Sequence, residues 1–181
     1  MTAKNLRLHS VQSLKDELAA RLKGAGRVAV LGVGSELRGD DIAGILVLGS
    51  LKKSKKIRRS VKLKTFEGST APENLTGEII AFKPTHLVIV DSADIGEKPG
   101  TVLLLRADEV SRGISFSTHK IPPKILIDYF TNSLKCEIVI IGIQPKSISF
   151  GKPASKAVIS AAKSVAVSIV EALSSKQHSR H

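Results

Sequence analysis

The stretch VAVLGVGSELRGDDIAG, residues 28–44, constrains the fold of this chain more than any other feature. Its first six residues are an apolar run rich in valine, which predicts a buried strand. A glycine-containing loop follows, and Asp40 and Asp41 then precede apolar residues at helical spacing, where an Asp is a favourable helix N-cap. Two carboxylates therefore lie where a strand connects to a helix, which in a parallel sheet is the edge where ligands bind.

The rest of the chain alternates between strand and helix patterns. Further strands are predicted at residues 62–66, 87–90, 101–105 and 137–143, and helices at residues 13–23, from 41, and at 72–82, 122–130 and 155–173. This alternation predicts an α/β fold, a three-layer α/β/α sandwich around a mostly parallel sheet. The 181 residues suit a single domain, whose core we expect over about residues 10–174, followed by a polar tail at residues 175–181.

Acidic residues follow three of the predicted strands. Asp41, Glu67 and Asp91 come after the first, second and third strand, and the carboxyl ends of parallel strands meet at one edge of a sheet. His119 comes in a later loop. Carboxylate and imidazole groups gathered at one edge suit a divalent transition metal or general acid–base chemistry.

Each of these residues also has a purely structural interpretation. One of the paired acids would only cap the helix, Asp91 would cap a loop, and His119 would be an ordinary loop histidine. His86 precedes the third strand, so we expect it at the opposite edge of the sheet.

The chain carries a formal net charge of +12, and residues 51–64 contain eight basic residues and no acid. One interpretation is a patch for nucleic acid or for an acidic face of a partner protein. The other is the solvated end of a helix, a turn and the start of a strand, since cations are favourable at a helix C-terminus. We expect no nucleic acid, because few aromatic side chains are available to stack on bases.

Cysteine usage and hydropathy bear on the compartment. A single cysteine, Cys136, allows no intrachain disulfide and no cysteine metal cluster. The N-terminus lacks the apolar core of a signal peptide, and no apolar run approaches the roughly 18 residues of a membrane span. We therefore expect a cytoplasmic protein that does not bind a membrane.

The chain resembles the hydrogenase maturation endopeptidases, most closely the formate-hydrogenlyase (hydrogenase 3) large-subunit type, through five motifs in order: LGVGSELRGDDIAG, FEGSTAPENL, HLVIVDSADIGEKPGTV, FSTHKIPPKILIDYF and IIGIQPKSISFG. The resemblance covers roughly residues 28–170. It implies a five-stranded sheet whose fourth strand runs against the others. It also implies an endopeptidase that removes the C-terminal extension of a [NiFe]-hydrogenase large-subunit precursor after nickel insertion. No resident cofactor is expected, because the substrate supplies the nickel, and we expect a monomer.

The resemblance also implies which residues form the site. The nickel-contacting positions of the family correspond to Asp41 in GDD, Asp91 in IVDSAD and His119 in STHKIP, and the two aspartates are the expected catalytic residues. Glu67 and Asp40 are second candidates, and the expected substrate-loop residues are Gly34, Ser35, Gly68 and Thr118. The chain departs from the family pattern at Ser35, where Asn is usual, and at Ile42, where Gly is common.

Two mechanisms and two other function classes stay open at this point. In the first mechanism, nickel in the substrate positions or polarises the scissile peptide for attack by water, with a carboxylate as base. In the second, the protein is a direct acid protease and nickel serves only for recognition. The alternatives to an enzyme are a non-catalytic nickel-recognising maturation scaffold and a nucleic-acid-binding protein that uses residues 52–64.

Overall fold

The structure is a computed structural model that describes residues 8–9, 11–54, 56–110, 115–116 and 122–174. The strands within these residues are β1 (Leu8–His9), β2 (Arg27–Val33), β3 (Lys62–Ser69), β4 (His86–Asp94), β5 (Val102–Arg106), β6 (Ser115–Phe116) and β7 (Glu137–Ile143). The α-helices are α1 (Val11–Arg21), α2 (Ala43–Lys52), α3 (Thr76–Phe82), α4 (Pro123–Ser133) and α5 (Lys156–Ser174). Short 3-10 turns at Gly39–Ile42 and Pro72–Leu75 lead into α2 and α3.

Five long strands form the centre of the sheet in the order β5-β7-β4-β2-β3. The pairs β2–β3, β2–β4 and β4–β7 are parallel, whereas β5 pairs antiparallel with β7. The expected mostly parallel, five-stranded sheet with a reversed fourth strand is therefore confirmed. The structure adds β1 beside β5 and β6 beside the end of β4. These two-residue strands were not predicted, because they are too short to show a periodic pattern.

Helices cover both faces of the sheet, which confirms the three-layer sandwich. On one face, Leu18 of α1, Leu48 of α2 and Val165 of α5 are buried in one apolar cluster. On the other face, Ile79 of α3 and Phe130 of α4 belong to a second cluster. We call these the α2 face and the α4 face. The domain limits of residues 1–181 stay a prediction, because the expected tail at 175–181 lies outside the described residues.

Helix α5 is long and apolar enough to cross a membrane by length and composition, alone among the helices of the described residues. Its apolar face is occupied within the fold, since Val158, Val165 and Ile169 are fully buried in the cluster of the α2 face. Lys163 and Glu171 interrupt the apolar sequence. The helix thus has the packing of a core helix.

Two predicted element boundaries are wrong in ways that matter for the site. The third predicted strand was expected to end at Asp91, but β4 continues to Asp94, so Asp91 lies within a strand. The helix expected from Asp41 begins instead as the 3-10 turn Gly39–Ile42, and Ile42 is the N-cap of α2 without a side-chain cap bond. Neither aspartate of the pair therefore caps α2, and both are available for other contacts.

Candidate active site

The strands β2, β3, β4 and β7 run in the same direction, so their ends lie together at what we call the carboxyl edge of the sheet. Their beginnings form the amino edge. Asp40 and Asp41 follow β2, and Asp91 lies near the end of β4. The strand order places β2 beside β4. The carboxyl edge therefore brings the first-loop aspartates next to Asp91, as the sequence predicts.

Glycines allow the first loop and α2 to lie directly against the sheet. A Cβ atom on Gly44, in the first turn of α2, would overlap the carbonyl oxygen of Val90 in β4, and one on Gly32 would be 2.6 Å from the carbonyl oxygen of Gly44. Gly34 has φ 138°, and a Cβ there would overlap the carbonyl oxygen of Asp41. The loop after β2 thus folds tightly over the turn that carries Asp41.

Asp41 is buried at the end of this loop, with only 1% of its surface exposed. Its Oδ1 accepts a hydrogen bond of 3.0 Å from the hydroxyl of Ser92 in β4. Among the described residues, no lysine, arginine or histidine forms an ion pair with Asp41. A buried carboxylate with a hydroxyl partner suits the binding of a cation brought by a ligand.

Asp91 is also buried, with 4% exposed, and its Oδ1 accepts a hydrogen bond of 2.7 Å from the backbone N–H of Ser92. Because side chains alternate along a strand, Asp91 lies on the α4 face together with Ile89. There it lines a largely apolar cavity together with Val33, Phe116 and Pro123. Asp91 and Glu73 are the charged residues among the described ones that line this cavity, and the other lining residues are apolar.

Thr118 and His119 lie outside the described residues. The described ranges resume at Pro122 after Phe116, and Phe116 and Pro123 line the cavity that Asp91 faces. The described residues hold no group of three or more His, Cys, Asp or Glu side chains able to bind a metal ion. The part of the site within the described ranges therefore consists of two buried carboxylates, and the role expected for His119 stays a prediction.

Asp40, the first of the paired acids, is committed to a structural role. Its Oδ2 accepts hydrogen bonds from the backbone N–H groups of Lys146 (2.7 Å) and Ser147 (3.3 Å), and its Oδ1 accepts one from Ser155 (2.5 Å). The carboxylate thus holds the loop between β7 and α5 against the first loop. The sequence could not distinguish the two adjacent aspartates, because the partners of Asp40 lie more than a hundred residues away.

The structure does not bring Glu67 together with the two aspartates. Phe66 belongs to the cluster of the α4 face, so strand alternation directs Glu67 to the α2 face, opposite to Asp91. Glu67 is exposed, and its Oε2 lies 3.4 Å from Nζ of Lys52 at the end of α2. An exposed ion pair is its observed role.

The remaining expected substrate-loop residues lie at the carboxyl edge. Ser35 is largely buried, and its hydroxyl accepts a weak hydrogen bond of 3.3 Å from the backbone N–H of Leu37. Gly68 is buried where a Cβ would be 2.9 Å from Cβ of Pro72. Both residues therefore shape the loops around the carboxylates, and their contact with substrate stays a prediction.

Sequence reasoning missed two polar residues at this edge. Ser92 contacts both aspartates, and Gln144, just after β7, accepts backbone hydrogen bonds from Ile95 (2.8 Å) and Glu97 (3.3 Å) while donating to Asp94 (3.2 Å). Both are buried polar residues at the ends of predicted strands, in the motifs IVDSAD and IIGIQP. A search of the strand ends for neutral polar residues as well as acids identifies both Ser92 and Gln144.

The amino edge of the sheet contains the other notable side chains. His86, the first residue of β4, lies there as expected, and burial lowers its pKa despite the opposing effect of Glu137. Burial, reinforced by Glu137, raises the pKa of the Cys136 thiol to about 11. This thiol is therefore protonated at neutral pH and is a poor nucleophile.

We call residues 51–64 the basic segment, and most of its described residues also lie toward the amino edge. It contains the end of α2 at Lys52, a turn and the start of β3 at Lys62, which confirms the structural interpretation of its position. Arg58 donates a hydrogen bond of 3.0 Å from Nε to the carbonyl oxygen of Leu173 at the end of α5. The segment therefore contributes to the fold, and its turn before β3 lies about 20 Å from the carboxylates, which is the length of the seven-residue strand β2.

The fold and the site together define an α/β protein with a buried pair of carboxylates at the carboxyl edge of its sheet. The HycI hydrogenase maturation protease family matches residues 45–172. The chain belongs to this family and is a peptide hydrolase.

Similar proteins span most of the domain. A protein of Methanocaldococcus jannaschii with the provisional name of hydrogenase maturation protease is 35% identical over 141 residues, which cover 76% of this chain and 83% of that protein. The hydrogenase 3 maturation protease of Escherichia coli K12 is 32% identical over 136 residues, covering 75% and 84%. The crystal structure of the [NiFe] hydrogenase maturation protease HycI from Thermococcus kodakarensis KOD1 matches with a TM-score of 0.77 and 30% identity, covering 88% of this chain and 99% of that one.

Proposed function

We propose that this protein is a nickel-dependent endopeptidase that removes the C-terminal extension of a [NiFe]-hydrogenase large-subunit precursor after nickel insertion. The observation that carries the proposal is the pair of buried carboxylates, Asp41 and Asp91, joined through Ser92 at the carboxyl edge. Membership of the HycI family supplies the class of substrate.

Burial gives the aspartate pair a reason to bind a cation. Both carboxylates are almost entirely removed from water, and a divalent ion held by them would offset the lost hydration. In the proposal the ion is nickel already held by the precursor, so that the metal is part of the substrate. His119 is the proposed third ligand, because oxygen and imidazole donors together suit a divalent transition metal.

The proposed chemistry is the addition of water to the scissile carbonyl carbon. One carboxylate accepts a proton as the oxygen–carbon bond forms, and the proton passes to the amide nitrogen as the carbon–nitrogen bond breaks. The nickel of the substrate polarises the peptide or fixes its position. In the alternative mechanism the same carboxylates act directly and nickel serves only for recognition.

The proposal also states that the protein is a cytoplasmic monomer, that it has no resident cofactor, and that it binds neither membrane nor nucleic acid. The occupied apolar face of α5 supports the absence of membrane binding, and the structural use of the basic segment, where Arg58 binds the end of α5, supports the absence of nucleic-acid binding. Docking of the precursor through the basic segment is not part of the proposal, because that segment lies at the edge opposite to the carboxylates.

The test compares nickel-loaded and nickel-free forms of the cognate precursor, with mass spectrometry to detect loss of a C-terminal peptide. We expect the loaded form alone to be cleaved. The His119→Gln variant should lose cleavage, whereas the matched His86→Gln variant at the amino edge should retain it.

Equal cleavage of both precursor forms would reject nickel dependence. Failure to cleave a verified cognate precursor, with binding retained, would reject the endopeptidase and favour the non-catalytic maturation scaffold. Retained cleavage in His119→Gln would remove that residue from the site.

A further inference from the structure

Ser92 forms hydrogen bonds with both aspartates among the three proposed nickel ligands. It lies next to Asp91 in β4, yet its hydroxyl reaches Oδ1 of Asp41 in the connection between β2 and α2, at 3.0 Å. Its backbone N–H donates to Oδ1 of Asp91 at 2.7 Å. Only 1% of its surface is exposed, so water does not compete for these bonds.

The chemistry of the two contacts fixes their direction. An ionised carboxylate only accepts hydrogen bonds, so the single proton of the Ser92 hydroxyl is committed to Asp41. The backbone N–H likewise has one proton, which is committed to Asp91. Both donors of one residue are therefore used on two carboxylates that come from different parts of the chain.

Strand alternation explains why such a link is needed. Asp91 lies on the α4 face of the sheet, and the next residue, Ser92, is directed to the opposite face, where the first turn of α2 lies close to β4. The turn that carries Asp41 follows β2 at the carboxyl edge, and the Asp41 carboxylate meets the Ser92 hydroxyl there. Without the Ser92 hydroxyl, no described hydrogen bond would join the Asp41 carboxylate to the strand that carries Asp91.

We propose that Ser92 is a positioning residue that holds the carboxylates of Asp41 and Asp91 in a fixed mutual arrangement before the substrate binds, so that together they accept its nickel ion. This inference rests on the proposed function. Groups that orient metal ligands from outside the coordination sphere commonly change affinity or activity by roughly 10–100-fold when removed.

The experiment measures the affinity of the protein for nickel-loaded and nickel-free precursor, together with kcat and KM for cleavage. In Ser92→Ala we expect the preference for the loaded precursor to fall by roughly 10–100-fold, mainly through KM, with affinity for the nickel-free form unchanged. Ser168→Ala is the matched control, because Ser168 is an equally buried serine of α5 and lies outside the site.

Conservative variants separate positioning from general support of the fold. Ser92→Thr restores a hydroxyl and should recover most of the preference, and Ser92→Cys, a weaker donor, should recover part of it. If Ser92→Ala fails to fold, the preference of Ser92→Cys for the nickel-loaded precursor is compared with that of the wild type instead. In the Asp41→Asn background, Ser92→Ala should cause no further loss, because its effect passes through Asp41.

The outcomes distinguish this inference from the proposed function. If the wild type shows no preference for the nickel-loaded precursor, the proposed function fails. If the wild type shows that preference and the Ser92 variants keep it, or if the Ser92 and Asp41 effects add independently, the positioning role of Ser92 is overturned.

Discussion

The two edges of one sheet show how the same fold handles charge in opposite ways. At the carboxyl edge, Asp41 and Asp91 are buried and bonded to the same neutral residue, Ser92. At the amino edge, the described cations of the basic segment are mostly exposed, and Arg58 stabilises the fold by binding the end of α5. Burying charge is costly, whereas solvated charge costs little. The difference is consistent with the proposed ligand site at the carboxyl edge and with a role of the amino edge in solubility and packing.

The largest effect on this comparison is expected from the Asp41→Asn substitution. It keeps the shape of the side chain but removes the negative charge, so cleavage of the nickel-loaded precursor should fall by at least about 100-fold. Asp128→Asn is the control, because Asp128 is an exposed residue of α4 that pairs with Lys124. Initial cleavage rates measure both effects. Comparable activity of Asp41→Asn and the wild type would show that the buried charge is not part of the site.

The second test concerns the close approach of α2 to the sheet at the carboxyl edge. Gly44→Ala would place a Cβ against the carbonyl oxygen of Val90, so we expect a loss of about 2–3 kcal/mol in the free energy of unfolding. Gly49→Ala lies in the same helix with no atom within 4 Å of the added Cβ, and it should instead gain about 0.5–1 kcal/mol. Denaturant unfolding measures both values. Equal effects would contradict the close packing of α2.

A third test addresses the buried histidine of the amino edge. Burial lowers the pKa of His86 in the folded protein below the value of 6.5 that it has when exposed. The unfolded chain then binds more protons as the pH falls through 6.5, so the folded state loses stability on acidification. Between about pH 7 and about pH 5 the free energy of unfolding should fall more in the wild type than in His86→Gln. Parallel pH profiles would contradict this assignment.

The smallest expected effect is that of reversing a charge on the amino edge. Arg59 is exposed in the turn before β3, so Arg59→Glu should change the cleavage rate by less than about twofold at physiological salt. Its control is the wild type measured over the same salt series. A large, salt-sensitive loss of precursor binding would show instead that the basic segment docks the substrate, which would make both edges functional.

Much of the fold follows from local patterns in the sequence. The strand at Glu137–Ile143 was predicted with its observed bounds, because a continuous apolar run between turn residues has few other solutions. Asp91 was assigned to a loop because the apolar run stops before it, whereas the structure continues β4 to Asp94. Beyond the apolar run, pairing with β7 extends the strand through Asp91 and Ser92, and pairing with β6 extends it to Asp94, which leaves no local signal in the sequence.

The sequence by itself determined the alternation of strands and helices, the direction of most strands and hence the edge at which Asp41 and Asp91 meet. These properties depend on hydrophobic periodicity and on the geometry of parallel connections, which are local or follow from chain order. Tertiary structure alone decided that Asp40 holds a distant loop, that Glu67 faces away from Asp91, and that Ser92 joins the two carboxylates. Each of these depends on side-chain direction and on contacts between residues far apart in the chain, which no local pattern encodes.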